Sequence, residues 1–373
     1  MSVFWNKRAK NLSPYIPGEQ PRDRNFIKLN TNENPYPPSP KVIEAIAKAA
    51  CGDLRLYPDP SCESFREAVA ARCGVKPGQV FAGNGSDEVL GFAFGAFFAS
   101  SADNAAPMLF PDVTYNFYPV YANLWDIPFR AVPLRGDFSV SVRDYMLPSG
   151  GAALPNPNPP IGMALPLKKI LALAKRLEEQ EKVLLLDEAY IAFAAQNGAQ
   201  SAVNCIDSHP NLLVSHTLSK SASLAGLRVG YAVGSEPLIE GLCRIRDSLN
   251  SYTLDRLALA GAEAAVSDAA YYDEINRKVV ATRERVAQAL RGLGFAVLPS
   301  AANFLLARTP AISGADLHRE LRRRGILARH FGNARIADFL RVSIGTDAQM
   351  DAFLGACEEI ISGRQRASLG AGG

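Results

Sequence analysis

The chain has 373 residues, 48% of them hydrophobic and 21% charged, with a formal net charge of +3. Such a length has room for about two domains and a large core, and the composition is that of an ordinary soluble globular protein. The small charge comes without a long basic run, so neither nucleic acid nor a membrane is expected as a partner.

At the N-terminus, Met1 to Arg8 carries basic residues with no apolar stretch behind them and does not read as a secretory signal. The longest apolar run, Leu90 to Ala99, is too short to span a bilayer. Six cysteines (Cys51, Cys62, Cys73, Cys205, Cys243, Cys357) are scattered without a C-x-x-C pair. That pattern indicates neither a zinc site nor a disulfide framework, so no metal is expected and a reducing cytoplasm is the expected location.

Residues 1–39 are rich in Pro and Asn, including Ser13 to Gly18 and Leu29 to Pro38, and read as an extended arm lying on a second domain or on a partner subunit. A helix is expected from Pro40, with Val42, Ile43, Ile46 and Ala49 on one face. Another is expected from Cys62 to Cys73, stopped by Gly74. Over 40–250, short apolar runs alternate with helical patterns, which predicts an α/β fold with a mainly parallel, mixed sheet flanked by helices. The expected strands are Val80 to Ala82, Met108 to Phe110, Phe129 to Val132, Val183 to Leu186, Leu212 to Val214 and Val229 to Val233. After Asn250 a long helical stretch broken near Asp268 leads into alternating short elements, which predict a smaller α+β domain over 251–362. The tail 363–373 is expected to be disordered.

In sheets of this kind ligands sit at the C-terminal ends of the strands, and four of those ends carry polar residues. Gly83-Asn84-Gly85-Ser86-Asp87-Glu88 offers free backbone N–H groups at a helix start, either an anion site for a phosphate or an ordinary N-cap. Tyr115, after Met108 to Phe110, is either a flat surface at the sheet edge or a packed ring. Asp187 directly follows four apolar residues, and a buried carboxylate there needs a cation, which a protonated ring nitrogen or a structural arginine could supply. In Thr217-Leu218-Ser219-Lys220, followed by Gly226-Leu227-Arg228, a lysine among small residues is suited to condensing with a carbonyl. Its neighbours Thr217, Ser219 and Arg228 suit a phosphate monoester. A lysine for an aldehyde, a carboxylate for a ring nitrogen, an aromatic to stack and phosphate ligands are together the demands of pyridoxal 5′-phosphate.

These motifs, with Asn32-Glu33-Asn34-Pro35, Tyr57-Pro58-Asp59, Asp187-Glu188-Ala189-Tyr190 and Leu340 to Gly345, make the chain resemble the fold-type I aminotransferases throughout, and within them the histidinol-phosphate branch. The resemblance implies that Lys220 bears the cofactor and shuttles the substrate proton, that Asp187 keeps the pyridine nitrogen protonated, and that Tyr190 donates to the phenolic oxygen. It further implies that Tyr115 stacks on the ring, and that Gly85, Ser86, Asp87, Thr217, Ser219 and Arg228 surround the phosphate. Tyr57 would reach the phosphate of a neighbouring subunit, which makes a homodimer with shared active sites the expected assembly. Arg341 would grip the α-carboxylate of glutamate, while Tyr15 and Arg329 would lie near the substrate phosphate.

One motif departs from the family pattern. Asn156-Pro157-Asn158-Pro159-Pro160-Ile161-Gly162 has proline where a second asparagine is usual, so the amide beside the phenolic oxygen is expected from Asn158, with Pro159 and Pro160 as candidates for a cis bond. The expected activity is transamination between histidinol phosphate and 2-oxoglutarate. The alternatives are a lyase resembling threonine-phosphate decarboxylase, an aromatic aminotransferase, or a non-catalytic cofactor-binding regulator. The last would be expected to have lost Lys220 or Asp187 and to carry a further domain.

Overall fold

Period-two burial organises the larger part of the molecule. In the computed structural model, which describes residues 3–21, 25–103 and 105–370, Leu184 and Leu186 bury on one face of a seven-stranded sheet and Leu185 on the other. Leu212 and Val214 against Leu213, and Ala152 and Leu154 against Ala153, repeat the pattern. Apolar residues at every position are what a sheet covered by helices on both faces requires.

The strand order is Val80–Asn84, Val229–Val233, Leu212–Thr217, Leu184–Asp187, Ala152–Pro155, Met108–Pro111, Phe129–Val132. Val229–Val233 runs antiparallel to both its neighbours, and the other pairs are parallel. The predicted α/β fold with a mixed sheet therefore forms. Its interior strand Ala152–Pro155 is not among the expected ones, because Ala-Ala-Leu-Pro between Gly151 and Asn156 lacks the β-branched residues that mark a strand.

A second, four-stranded antiparallel sheet is ordered Arg329–His330, Leu340–Ser343, Phe304–Arg308, Ala296–Val297. The arm contributes Ile27–Lys28 to a separate two-stranded sheet, in which it pairs in parallel with Ile326–Leu327. Near its start the arm is not wholly extended. Lys7–Asn11 makes a short helix whose first turn is capped when the Ala9 N–H donates to Asn6 Oδ1 at 2.8 Å.

Two expected boundaries differ from the structure. The helix Arg256–Ser267 buries Ala258, Ala262 and Ala265 in the core beneath the large sheet, so the change of core comes not at residue 250 but within the long helix Ala269–Gly292. There Tyr272 and Ile275 join the first core, and Val279 and Val286 join that of the second sheet. Of the tail expected to be disordered over 363–373, residues 363–370 continue the last helix, Asp347–Gly370, and 371–373 lie outside the described residues. The stretch Arg364 to Ala367 is rich in helix formers, and a single glycine weakens a helix by only about 1 kcal/mol.

Candidate active site

The C-terminal ends of six parallel strands line one edge of the large sheet, and the predicted residues follow them: Gly85 to Asp87, Tyr115, Asp187 to Tyr190, and Thr217 to Lys220. Arg228 reaches the same edge by the opposite route. It precedes Val229–Val233, the strand that runs backwards, so the start of that strand lies beside the ends of the others. Ser86, Asp87, Tyr115, Asp187, Tyr190, Thr217, Ser219, Lys220 and Arg228 line one cavity of about 270 Å³. A contiguous cavity of about 440 Å³ shares Lys220 and adds Tyr15, Arg329 and Arg341.

Lys220 is half-buried, and its ammonium donates to the Thr31 carbonyl at 2.9 Å. Burial first, with the Arg341 charge next, lowers its pKa to about 8, so a neutral amine is accessible near neutrality. Thr31 belongs to a run of three residues whose carbonyls all meet side-chain donors of the site. Arg341 Nη2 donates to Asn30 O at 2.8 Å and Asn303 Nδ2 to Asn32 O at 2.9 Å. Sequence reading found no role for this run because what it presents is main chain.

Asp187 is 4% exposed. It receives only long contacts, from Tyr118 Oη and Ser215 Oγ at 3.4 Å each and from the Ala189 N–H at 3.2 Å, and among the described residues it has no cationic partner within ion-pair distance. Desolvation, the largest influence, raises its pKa to about 6. A buried carboxylate in that state is a receptor for a positive group.

The turn at Gly85 and Ser86 opens the helix Gly85–Phe97 and leaves the backbone N–H groups of its first turn free of helical partners. Arg228, at φ 56°, donates to Asp87 Oδ2 at 2.9 Å, and Tyr115 Oη donates to Asp87 Oδ1 at 2.6 Å. The close approach of strand and turn depends on Gly230. A Cβ there would stand 2.5 Å from the Gly85 carbonyl carbon and closer still to Ser86 N. Gly230→Ala is therefore expected to push the turn out, lowering stability by about 1–3 kcal/mol and cofactor affinity by about tenfold. A thermal melt of the apoprotein and a fluorescence titration with the cofactor measure the two effects.

On the substrate side Arg341 is half-buried and its Nε has no partner. Its guanidinium lies over Phe331 at 5.5 Å, and that of Arg329 lies over the same ring at 5.8 Å. Arg329 also donates to the carbonyls of Ile16 and Pro17 at 3.4 Å, which ties it to the arm. Tyr15 stacks on Phe117 at 4.3 Å.

Two predicted residues stand apart. Asn158 does not line the Lys220 cavity. Its amide is engaged behind the wall, accepting from Thr114 Oγ1 at 2.9 Å and donating to Val113 O at 3.0 Å, and Pro159 lines the cavity in its place. The bonds preceding Pro157 and Pro160 are cis. Tyr57 is 79% exposed, stacks on Tyr252 at 4.5 Å, and lines neither cavity of this chain.

The group expected here fits the residues present: an amine of lowered basicity for an aldehyde, an unpaired buried carboxylate for a ring cation, and a helix N-terminus with a guanidinium for a phosphate. Comparisons with known proteins show the family. The family model for aminotransferase class I and II matches residues 24–356. The histidinol-phosphate aminotransferase of Clostridium acetobutylicum is 51% identical over 97% of this chain and 100% of its own. Histidinol-phosphate aminotransferase 1 of Bordetella parapertussis is 52% identical over 97% and 100%. The crystal structure of histidinol-phosphate aminotransferase from Sinorhizobium meliloti in complex with pyridoxal-5′-phosphate superposes with a TM-score of 0.86 at 27% identity, covering 97% of this chain and 99% of that one.

Proposed function

Because the chain belongs to the class I and II aminotransferases and is a pyridoxal 5′-phosphate-dependent aminotransferase, we propose that it transfers the amino group of histidinol phosphate to 2-oxoglutarate. The observation that carries the reading is one cavity lined by Lys220 and by two arginines, Arg341 and Arg329, whose guanidinium groups both lie over the Phe331 ring. A substrate with a reacting amine and an anion at its far end, alternating with a dicarboxylate, matches that pair of cations. Full-length relatives about half identical and bearing this activity in their names support it.

When bound, pyridoxal 5′-phosphate supplies an aldehyde to receive the amine and a protonated ring that takes up the electron pair left when the substrate α-carbon loses its proton. The chain's residues do the rest. Asp187 would face the protonated ring nitrogen with its buried charge, Tyr115 would lie against the ring, and Tyr190 would donate to the phenolic oxygen. Ser86, Thr217, Ser219 and Arg228, with the backbone N–H groups from Gly85 to Asp87, would hold the phosphate. The Lys220 amine, with its basicity lowered by burial, takes the proton from the α-carbon and returns it. Arg341 orients the α-carboxylate bidentately, while Arg329 and Tyr15 receive the distal anion.

The enzyme acts in this reading as a cytoplasmic homodimer in which Tyr57 enters the neighbouring site. Supporting this, Leu54, Leu56, Tyr57, Leu249 and Tyr252 expose 42–79% of their surface, and the stacking of Tyr57 on Tyr252 brings their two segments together. All six cysteines are free.

A half-reaction screen tests the substrate. Glutamate should bleach the visible absorbance and 2-oxoglutarate restore it. Histidinol phosphate should bleach it with a rate constant over concentration at least about tenfold above that of phenylalanine or tyrosine, which bring no anion to Arg329. Release of carbon dioxide from threonine phosphate would overturn the assignment in favour of a lyase.

A further inference from the structure

Asn32 is buried at 1% exposure and has a left-handed backbone, φ 57°, which asparagine tolerates better than other residues with a side chain. Its N–H donates to Ser343 Oγ at 2.8 Å, and the Ser343 hydroxyl donates back to Asn32 Oδ1 at 2.9 Å. That closed pair leaves the amide one orientation, with Nδ2 donating to Tyr190 Oη at 3.0 Å. A hydroxyl that accepts there keeps its own proton for another direction. Tyr190 lines the Lys220 cavity. From the Asn158 to Pro160 stretch that cavity meets only Pro159, which has no N–H, and the Asn158 amide is engaged elsewhere.

We propose that Asn32 and Ser343 are positioning residues that fix the Tyr190 hydroxyl as a donor into the Lys220 cavity. The inference rests on the reading that Tyr190 faces the cofactor's phenolic oxygen, and adds what aims it. Ser343 comes from the second sheet and Asn32 from the arm, so the direction of one proton at the large sheet's edge is set by two other parts of the chain. The charged and ionisable neighbours that also act on Tyr190 are Arg341, Asp187 and Tyr15. None of them is a hydrogen-bond partner of its hydroxyl.

Asn32→Asp tests it by reversing the polarity at constant shape. A carboxylate oxygen in place of Nδ2 accepts from Tyr190 and turns its proton away from the cavity. In the cofactor-loaded enzyme, the pH midpoint of the visible absorbance is measured for the wild type, Asn32→Asp, Tyr190→Phe and the double variant. The cofactor dissociation constant and the thermal midpoint of each apoprotein are measured alongside. A donor to the phenolic oxygen favours its ionised form, so Asn32→Asp is expected to raise the midpoint by about one pH unit. Tyr190→Phe should raise it in the same direction, and the double variant no further than Tyr190→Phe alone.

If Tyr190→Phe leaves the midpoint unmoved, the underlying reading of Tyr190 fails. If Tyr190→Phe moves it while Asn32→Asp does not, or if Asn32→Asp shifts it equally in the Tyr190→Phe background, the positioning role is overturned. Ser343→Ala, which frees the Asn32 amide to flip, should give a smaller shift of the same sign, and Ser343→Thr should restore the wild-type value. An unmoved midpoint in Ser343→Ala overturns the proposal even where Asn32→Asp does not fold.

Discussion

Lys220→Ala is expected to leave a folded protein that binds pyridoxal 5′-phosphate without covalent attachment and turns over at least about 10⁴-fold more slowly. The lysine is the one amine in the cavity beside Tyr190 and Asp187, so both attachment and proton transfer go with it. Borohydride reduction followed by mass spectrometry checks the first, and single-turnover kinetics the second. A reduced adduct on the variant would sink the assignment. Stability should move the other way. The folded lysine has its pKa lowered to about 8, so between about pH 8 and 10.4 the unfolded chain binds more protons than the native one and stability rises with pH. Below pH 8 the cost of burying the ammonium is fully present, and alanine removes it. The apoprotein of Lys220→Ala should therefore melt at or above the wild-type temperature at pH 7.

Asp187→Asn should have opposite effects with and without the cofactor. In the apoprotein the carboxyl is raised to about 6 by burial, so the native state binds more protons than the unfolded one between about pH 4 and 6, and stability falls as pH rises through that window. Asparagine removes the fall and should stabilise the apoprotein at pH 7 by roughly 2–3 kcal/mol. In the loaded enzyme the same change leaves a ring cation without its counter-charge, and turnover should drop by about 10²–10³-fold. Parallel melts of the apo and loaded forms at pH 4.5 and pH 7 measure the crossover. A variant that melts below the wild type in both forms would refute it.

The parts of this site that could be read from the chain are those where a polar side chain directly follows a buried strand. Asp187 after Val183 to Leu186, and Lys220 after Leu212 to Val214, stand out because apolar runs make a following charge conspicuous. Other parts were hidden for physical reasons. The strand Ala152–Pro155 is too poor in branched residues to be seen as one, although it lies inside the sheet, between Leu184–Asp187 and Met108–Pro111. The resemblance implied that Asn158 comes near the site, but not which way its amide turns, and the adjacent residues Val113 and Thr114 hold it facing away. The carbonyls of Asn30, Thr31 and Asn32 are main-chain atoms and leave no mark on residue type. Asn32 itself carried a signal in retrospect, since asparagine is the residue that combines a positive φ with a two-way amide.

The reversal of Val229–Val233 has a dynamic consequence. The Leu218 N–H donates to Val229 O, and the Leu224 N–H to Leu218 O, both at 3.0 Å, so the loop from Lys220 to Arg228 is closed on itself between adjacent strands. Amine and guanidinium are thereby carried by one rigid body, together with Asp187 and the turn at Ser86. Arg341 and Arg329 belong to the other sheet. Relative movement of the two sheets would therefore strain the hydrogen bonds that join them at the site, from Lys220 to Thr31 O and from Asn32 to Tyr190.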